Sequence, residues 1–494
     1  MSDHQILTDS PAHGMTALLD DLVRGGAIPP FVYCYPTRSA YRELDTGWTL
    51  ERIWDEDLHV SLTRDLNIYI HVPFCRYKCG FCNLYTVTTV DGELYDRYVD
   101  ALCAEIRRHR EIIRQRSVRT VYIGGGTPSL LSVRHFEAMF AALDEVCGNW
   151  RPGVDEVCIE ATPDSIVSSP STIARLMEMG LTRVNMGVQS LEAAELREAG
   201  RTRAGADVIR EATEIVKEHA LPNLSTDLIM GFAGQTDESW LRSVKALIAL
   251  DPETISTYFL TVRPDAWFSK TGHYVYQRGP ELYRRYEAAR ELILAAGYVQ
   301  ESNVRYKKMG LGGYRQKVLQ FHGVPVLGIG AGARTYTNTV DYLFGGSSTP
   351  HESQVWDYIG EVESGGARIH KGFVYDDAER IRKRLALDLF DLDLSSLERY
   401  HYSEHKPLFE DILNACVELE LARKMGEERY QLTPKGYKYR DIVSWLVFSD
   451  EVKDRDKEFY EELHLANQSA VQGIGKRVPV SGLMVGGKQA DRPA

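Results

Sequence analysis

The hydrophobic pattern of residues 66–261 alternates between short β-branched runs and longer amphipathic segments. Apolar residues at three- and four-residue spacing predict helices between the runs, beginning with 93–115. Repeated strand–helix units predict an α/β fold, a parallel sheet curled into a partial (β/α)6 barrel. A glycine-rich run at 326–338 predicts a further strand and tight turn near the barrel mouth. The six strands of the repeats are predicted at 66–73, 118–123, 156–160, 183–188, 223–230 and 254–261.

The segments on either side of the barrel have different patterns. We expect an N-terminal extension at 1–65, the barrel at 66–345, a C-terminal domain at 346–450 and a tail at 451–494. Within the C-terminal domain the pattern predicts two helices, a hairpin at 426–436 and a last helix, which is winged-helix-like. Such a domain either binds DNA or packs on the barrel as a lid, and the acidic charge of the chain favours the lid.

Residues 31–42 of the extension are dense in tyrosine, proline and arginine. A segment of this composition either packs across the barrel surface or uses Arg38 and Arg42 to bind an anionic group of a ligand. Both interpretations stay open at the level of the sequence.

Composition narrows the class of protein. The 494 residues carry a formal net charge of −12, which argues against wide contact with a nucleic-acid backbone. Eight cysteines, of which three are tightly grouped, predict a reducing, cytoplasmic compartment without structural disulfides. The N-terminus lacks the pattern of a secretory signal, and no apolar run is long enough to predict a membrane span.

The grouped cysteines are Cys75, Cys79 and Cys82, in the spacing C-x3-C-x2-C directly after the first barrel strand. Three thiolates on one compact loop suit three irons of a [4Fe-4S] cube, because soft sulfur ligands favour iron–sulfur clusters. Asn83, Leu84 and Tyr85 follow where a fourth ligand would be expected, so the fourth iron stays open for a ligand. The alternative is a set of free or zinc-binding cysteines, although structural zinc sites usually take four protein ligands.

A glycine run, 124–126, follows the second strand. Glycines let a ligand approach the backbone and leave N–H groups free to bind it, and a simple tight turn would have the same sequence. The run lacks the lysine of a P-loop.

Polar residues also follow the later strands. Glu160 and Gln189 end the third and fourth strands, Asp227 lies in the fifth, and Arg201 comes twelve residues after Gln189. Each alone is typical of a surface or turn. Because the C-terminal ends of parallel strands meet at one mouth of a barrel, together they predict a pocket for a zwitterionic nucleoside.

With these features in place, the chain resembles the radical S-adenosylmethionine (SAM) superfamily. The cysteine loop with Phe81 before its last cysteine carries the resemblance. Further stretches narrow it to the HemN-like branch, which contains oxygen-independent coproporphyrinogen III dehydrogenases, heme chaperones, and methylases and cyclopropanases that use two SAM molecules. These stretches are YIHVPFC at 69–75, GGGTPS at 124–129, NMGVQSL at 185–191, STDLIMGFAGQT at 225–236 and GIGAGA at 328–333.

The resemblance implies a [4Fe-4S] cluster on the three cysteines, with SAM chelated at the open iron and cleaved to a 5′-deoxyadenosyl radical. Tyr69 would lie near the sulfonium and act with the three cysteines in catalysis, and Phe81 would lie against the adenine. The other residues implied to bind the cofactor are Gly125, Gly126, Thr127, Glu160, Gln189, Arg201 and Asp227.

One departure argues against the dehydrogenase activity. The dehydrogenases of the branch carry a further cysteine where this chain has Leu84. We therefore expect a methylase or cyclopropanase that uses two SAM molecules on an sp2 carbon of a small-molecule substrate. The alternatives are coproporphyrinogen III dehydrogenation, with Arg38, Arg42 or Arg334 holding propionates, and heme trafficking. We expect a monomer that receives electrons from a reductase such as flavodoxin or ferredoxin, without nucleic acid or membrane.

Overall fold

The computed structural model of the protein describes residues 14–27, 31–148, 150–219, 221–262, 266–271, 279–343, 352–366, 369 and 371–459. Its largest sheet has nine strands. These strands are β1 Asp65–Val72, β2 Ser117–Gly125, β3 Glu156–Ala161, β4 Arg183–Gln189, β5 Asn223–Met230, β6 Thr254–Phe259, β7 Tyr298–Gln300, β8 Arg305–Lys308 and β9 Val326–Ile329.

The sheet follows the predicted barrel order. Strands β1 to β6 lie side by side in chain order and are all parallel. Strand β9 adds a parallel neighbour beyond β1, and β8 and β7 add antiparallel neighbours beyond β6. The α/β partial barrel is therefore confirmed. The sequence did not predict β7 and β8, because strands of three and four residues are too short to show a periodic pattern.

Helices connect the strands and cover the outer face of the sheet. The predicted helix at 93–115 is two helices, because the φ and ψ angles of His109, −81° and 11°, leave the helical region. The barrel helices are Gly92–Arg108, Arg110–Arg114, Val133–Cys147, Pro163–Ser168, Pro170–Glu178, Ala193–Glu198, Ala206–Glu218, Asp237–Ala249, Trp267–Thr271, Gly279–Ala295, Arg315–Phe321 and Glu352–Glu363.

The C-terminal domain is winged-helix-like, as predicted. Its strands Ala422–Lys424 and Arg429–Leu432 form an antiparallel hairpin, and Asp391–Asp393 pairs with the second of them. The hairpin ends before the predicted residue 436, because Pro434 starts the last helix, where a missing N–H is tolerated. The domain's helices are Asp377–Leu387, Tyr402–His405, Glu410–Glu418 and Pro434–Val447.

The N-terminal extension contributes to two hydrophobic cores. Helix Leu50–Val60 buries Trp54 in the barrel core. Helix Met15–Arg24 and the segment 31–42, which we call the strap, belong instead to the core of the C-terminal domain, where Tyr35 is fully buried. The expected domain boundaries stay a prediction.

Residues 450–459, at the start of the predicted tail, are helical. The Asp456 carboxylate accepts hydrogen bonds from Thr37 and Ser39 of the strap. The rest of the predicted tail, 460–494, lies outside the described residues. No helix in the part of the chain that the structure describes is long and apolar enough to cross a membrane.

Candidate functional site

The cysteine loop follows β1 and is held at both ends and at its tip. Phe74–Cys75 pairs with Val87–Thr88 at the base. At the tip, the Gly80 N–H donates to the Ala199 carbonyl at 3.0 Å, and a Cβ on Gly80 would lie 2.2 Å from the Phe268 ring. Glycine is therefore required at the tip, and the loop is positioned by distant parts of the barrel.

The loop forms one side of a cleft at the C-terminal ends of the parallel strands. All the predicted site residues except Tyr69 line this cleft. Tyr69 lies beside it on β1, with its ring 6.0 Å from that of Tyr122. The predicted residues in the lining are Cys75, Cys79, Phe81, Cys82, Gly125, Gly126, Thr127, Glu160, Gln189, Arg201 and Asp227.

Two side chains contact the sulfurs from the opposite wall. The Thr127 hydroxyl donates to Cys75 Sγ and the Arg201 guanidinium to Cys79 Sγ, each at 3.6 Å. Burial raises the pKa of the Cys75 thiol to about 12 and also raises that of Cys82. A bound metal holds such thiols deprotonated despite their burial.

The donor set fits an iron–sulfur cube. Among the described residues, no group of three His, Cys, Asp or Glu side chains converges on a single metal ion. In a [4Fe-4S] cube each thiolate binds a different iron, so three thiols spread around one cleft suit the cube better than a closed zinc site.

The glycine turn fits the simple tight turn that the sequence left open. Gly125 has φ of +114°, and a Cβ there would lie 2.4 Å from the His71 ring. A Cβ on Gly126 would lie 2.5 Å from the Phe74 carbonyl oxygen. The expectation of free N–H groups is wrong, because Gly125 donates to Glu160 at 2.7 Å and Gly126 to the Val72 carbonyl at 2.8 Å. The glycines are therefore required by close packing against His71 and Phe74, and the turn lines the cleft without free N–H donors.

The carboxylates of the cleft differ in what they offer a ligand. Glu160 already accepts hydrogen bonds from the Tyr122 hydroxyl at 2.8 Å and from Gly125. Asp227 accepts from Asn185 through Oδ2 at 2.8 Å, and the nearby Ser256 hydroxyl lowers its pKa, while its buried Oδ1 makes no hydrogen bond of ordinary length. Burial raises the pKa of both carboxyls. Asp227 is thus the carboxylate with a position open for a ligand donor.

Arg201 has a hydrogen-bond donor available for a ligand, as Asp227 has an acceptor. It gives one N–H to the Gly187 carbonyl at 2.7 Å and one to Cys79, while its buried Nε has no partner. Six other arginines among the described residues also have a buried Nε without a partner, so it is the position of Arg201 in the cleft that makes this atom available to a ligand. A ligand with a hydroxyl for Asp227 and a carboxylate for Arg201, as SAM has, would satisfy both atoms.

The two remaining predicted residues shape the cleft. Gln189 ends β4 where the strand register shifts, with φ of +70°, a strained conformation for a residue with a side chain. The Phe81 ring lies 5.9 Å from that of Phe232, in a small apolar cluster. The roles implied for all the site residues stay predictions.

The sequence reasoning missed two residues, His71 and Asn185. The ring nitrogens of His71 contact the Tyr69 hydroxyl at 3.0 Å and the Tyr85 carbonyl at 2.8 Å. Burial lowers the pKa of His71 to about 4, so the ring is neutral near pH 7. Side chains alternate along a strand, so His71 and Asn185 were detectable as residues on the same faces as Tyr69 and Gln189.

The arginines proposed for propionates lie in different places. Arg42 is at the surface, where it pairs with Glu458 at 3.0 Å, and Arg38 begins a short turn of the strap. Arg334 follows β9 and donates to the Tyr33 hydroxyl inside the molecule. None of the three is in the lining of the cleft.

Comparisons with known proteins identify the family of the chain. The Radical SAM superfamily profile matches residues 69–247. Heme chaperones named HemW match at 32% identity in Mycobacterium tuberculosis, over 54% of this chain and 69% of the relative, and at 30% in Synechocystis, over 54% and 65%. The Bacillus subtilis heme chaperone matches at 28%, over 63% of this chain and 78% of the relative.

One solved structure extends the similarity beyond the barrel. Coproporphyrinogen III oxidase, HemN, from Escherichia coli superposes with a TM-score of 0.71 at 20% identity, covering 85% of this chain and 97% of that one. At this identity the similarity concerns the fold alone, and it includes the C-terminal domain. The chain therefore belongs to the radical SAM superfamily, in its HemN-like branch.

Proposed function

We propose that Cys75, Cys79 and Cys82 hold a [4Fe-4S] cluster and that the protein cleaves SAM. The observation that carries this proposal is the cleft that joins three thiols to the unpartnered atoms of Arg201 and Asp227. When bound, the cluster would supply the single electron that breaks a carbon–sulfur bond of SAM.

The protein's own residues bind SAM and orient it. Arg201 Nε donates to the methionyl carboxylate, and Asp227 Oδ1 accepts from a ribose hydroxyl. Glu160 fixes the position of the glycine turn by accepting a hydrogen bond from the Gly125 N–H. The neutral His71 ring keeps the Tyr69 hydroxyl in place. These contacts place the reacting atoms before any electron arrives, which is the contribution expected of the protein in cofactor chemistry.

The test is anaerobic reconstitution, followed by iron and sulfide analysis and a search for 5′-deoxyadenosine after reduction with dithionite. We expect about four irons for the three thiolates and SAM-dependent 5′-deoxyadenosine. Cys82→Ser should lose both, whereas Cys147→Ser, at a partly exposed cysteine outside the cleft, should lose neither. Stoichiometric zinc in place of iron, or no 5′-deoxyadenosine from protein with a full cluster, would overturn the proposal.

For the molecule acted upon, heme trafficking is favoured over the methyl or methylene transfer expected from the sequence. The observation behind this preference is that the relatives reported above are named heme chaperones. Stoichiometric hemin binding with a Soret band is expected. A product one carbon heavier than an alkene substrate would restore the transfer hypothesis, and a product that has lost two carboxyl groups would indicate coproporphyrinogen dehydrogenation.

A further inference from the structure

A buried carboxylate, that of Glu195, accepts hydrogen bonds from three neutral side chains. Its Oε2 accepts from the Ser190 hydroxyl at 2.6 Å and from the Gln235 side-chain amide at 3.0 Å. Its Oε1 accepts from the Ser239 hydroxyl at 2.6 Å. All four residues are buried. Because a buried charge is unfavourable unless polar groups are directed at it, these donors must be held in fixed positions around the carboxylate.

The three donors come from two separate connections of the barrel. Ser190 directly follows β4, whereas Gln235 follows β5 and Ser239 lies in the first turn of the next helix, Asp237–Ala249. Losing the carboxylate would remove the shared acceptor of three buried donors, which destabilises their arrangement. Glu195 therefore cross-links the connection after β4 to the connection after β5.

The connection after β4 holds the tip of the cysteine loop. The Glu195 carbonyl accepts from the Ala199 N–H at 2.9 Å, and the Ala199 carbonyl accepts in turn from the Gly80 N–H at 3.0 Å. Two residues further on, the Arg201 guanidinium donates to Cys79 Sγ at 3.6 Å. The segment from Glu195 to Arg201 therefore carries two of the contacts that fix the cysteine loop.

The connection after β5 also reaches the cysteine loop. Gln235 Oε1 accepts from the Gly231 N–H at 2.7 Å, where the backbone has φ of +113°. The next residue, Phe232, has its ring 5.9 Å from that of Phe81, which lies between the second and third cysteines. Both connections that Glu195 cross-links therefore contact the loop that carries the thiols.

Glu195 itself is not part of the cleft. It is not among the residues that line the cleft, and its hydrogen-bond partners are two hydroxyls and an amide rather than a cysteine. Groups that hold metal ligands in position change metal affinity without touching the metal. Any effect of Glu195 on the thiols must therefore pass through the two connections that it joins.

We infer that Glu195 is a positioning residue for the cluster, because its carboxylate fixes the two connections that hold the cysteine loop and so keeps the three thiols at the spacing of the cube. The inference rests on the proposed function, since it concerns the same cluster. It also gives a role to Ser190 and Gln235, which lie near the ends of the stretches 185–191 and 225–236.

The first test removes the acceptor and follows the cysteine loop by hydrogen exchange and mass spectrometry, on the full chain at equal iron content. The Gly80 amide, protected by Ala199, should exchange at least about tenfold faster in Glu195→Ala, because the segment that protects it opens more often. Leu385→Ala is the control, since it leaves a cavity in the core of the C-terminal domain. It should lower Tm but leave exchange in the cysteine loop unchanged.

Reconstituted protein gives a second measurement. Glu195→Ala should release iron to a chelator at least about tenfold faster than the unchanged protein and should bind SAM more weakly in equilibrium dialysis. Glu195→Gln should recover both properties. Its amide oxygen can accept from Ser190 and Gln235, and its NH₂ can donate to Ser239, whose hydroxyl then turns to the Thr236 carbonyl 3.2 Å away.

Unchanged loop exchange and unchanged iron release in folded Glu195→Ala would overturn the inference. Equal acceleration of both in Leu385→Ala would also overturn it, because the effect would then follow from overall stability. If Glu195→Ala does not fold, Ser190→Ala takes its place, since it removes one of the three donors, and unchanged loop exchange in that variant would overturn the inference. If the unchanged protein takes up no cluster, the proposed function fails, whereas the exchange comparison still decides whether Glu195 positions the cysteine loop.

Discussion

Arg201 connects the cysteine loop to the far wall of the cleft, and Arg201→Lys tests that connection. The guanidinium uses one N–H on Cys79, one on the Gly187 carbonyl, and leaves Nε for a ligand. Lysine keeps the positive charge but places its donors on a single nitrogen, so it cannot reproduce the three directions of the fork. The substitution therefore keeps the positive charge but loses the three directed N–H donors.

The expected magnitude follows from the contact that is lost. A hydrogen bond to a charged group contributes about 1.5–3 kcal/mol, and about 1.4 kcal/mol is a factor of ten in affinity. If Nε binds the carboxylate of SAM, Arg201→Lys weakens SAM binding about 10- to 150-fold. The loss falls in this range only if the cluster loop keeps its structure.

The assay is anaerobic equilibrium dialysis with radiolabelled SAM, with iron content measured on every sample. Arg203→Lys, two residues away and exposed, is the matched control and should bind SAM normally. Unchanged SAM affinity in Arg201→Lys with full iron content would refute the assignment of Nε to the ligand. Parallel loss of iron and SAM would instead show that Arg201 acts on the loop through Cys79.

Three further substitutions test the cluster, the glycine turn and a buried acid. Cys79→Ala should abolish iron–sulfur absorbance and 5′-deoxyadenosine formation, and retained activity would contradict the cluster assignment. Gly125→Ala should lower the free energy of unfolding by about 2–3 kcal/mol in urea titrations, because its methyl group would lie 2.4 Å from His71 at φ of +114°; Gly153→Ala, with open space around it, should change it by less than about 0.5 kcal/mol. Burial raises the pKa of Glu105 from 4.5 to about 7, so the folded state binds this proton more tightly and stability falls as pH rises from about 4.5 to 7. Glu105→Gln should remove this fall between pH 5 and 8, and an unchanged fall would show that another group causes it.

The strand–helix order of the barrel is a property of the sequence, because each strand and helix shows its own periodicity within a few residues. Strand β5 was predicted with the bounds Asn223–Met230 that the structure has. The cysteine spacing and the glycine turn were equally visible, since both lie within one short stretch of chain. These local features were enough to predict the α/β barrel and the superfamily.

The hydrogen-bond and ion-pair partners of the polar residues inside the barrel could be read only from the tertiary structure. Whether Asp227 or Glu160 keeps an open oxygen depends on neighbours from adjacent strands, and whether Arg334 has a counter-ion depends on residues far away in sequence. Lys317 and Tyr33 are separated by almost the whole barrel sequence, yet they are in contact. Local periodicity reports which face of an element is buried, but the pairing of buried charges is set by long-range packing.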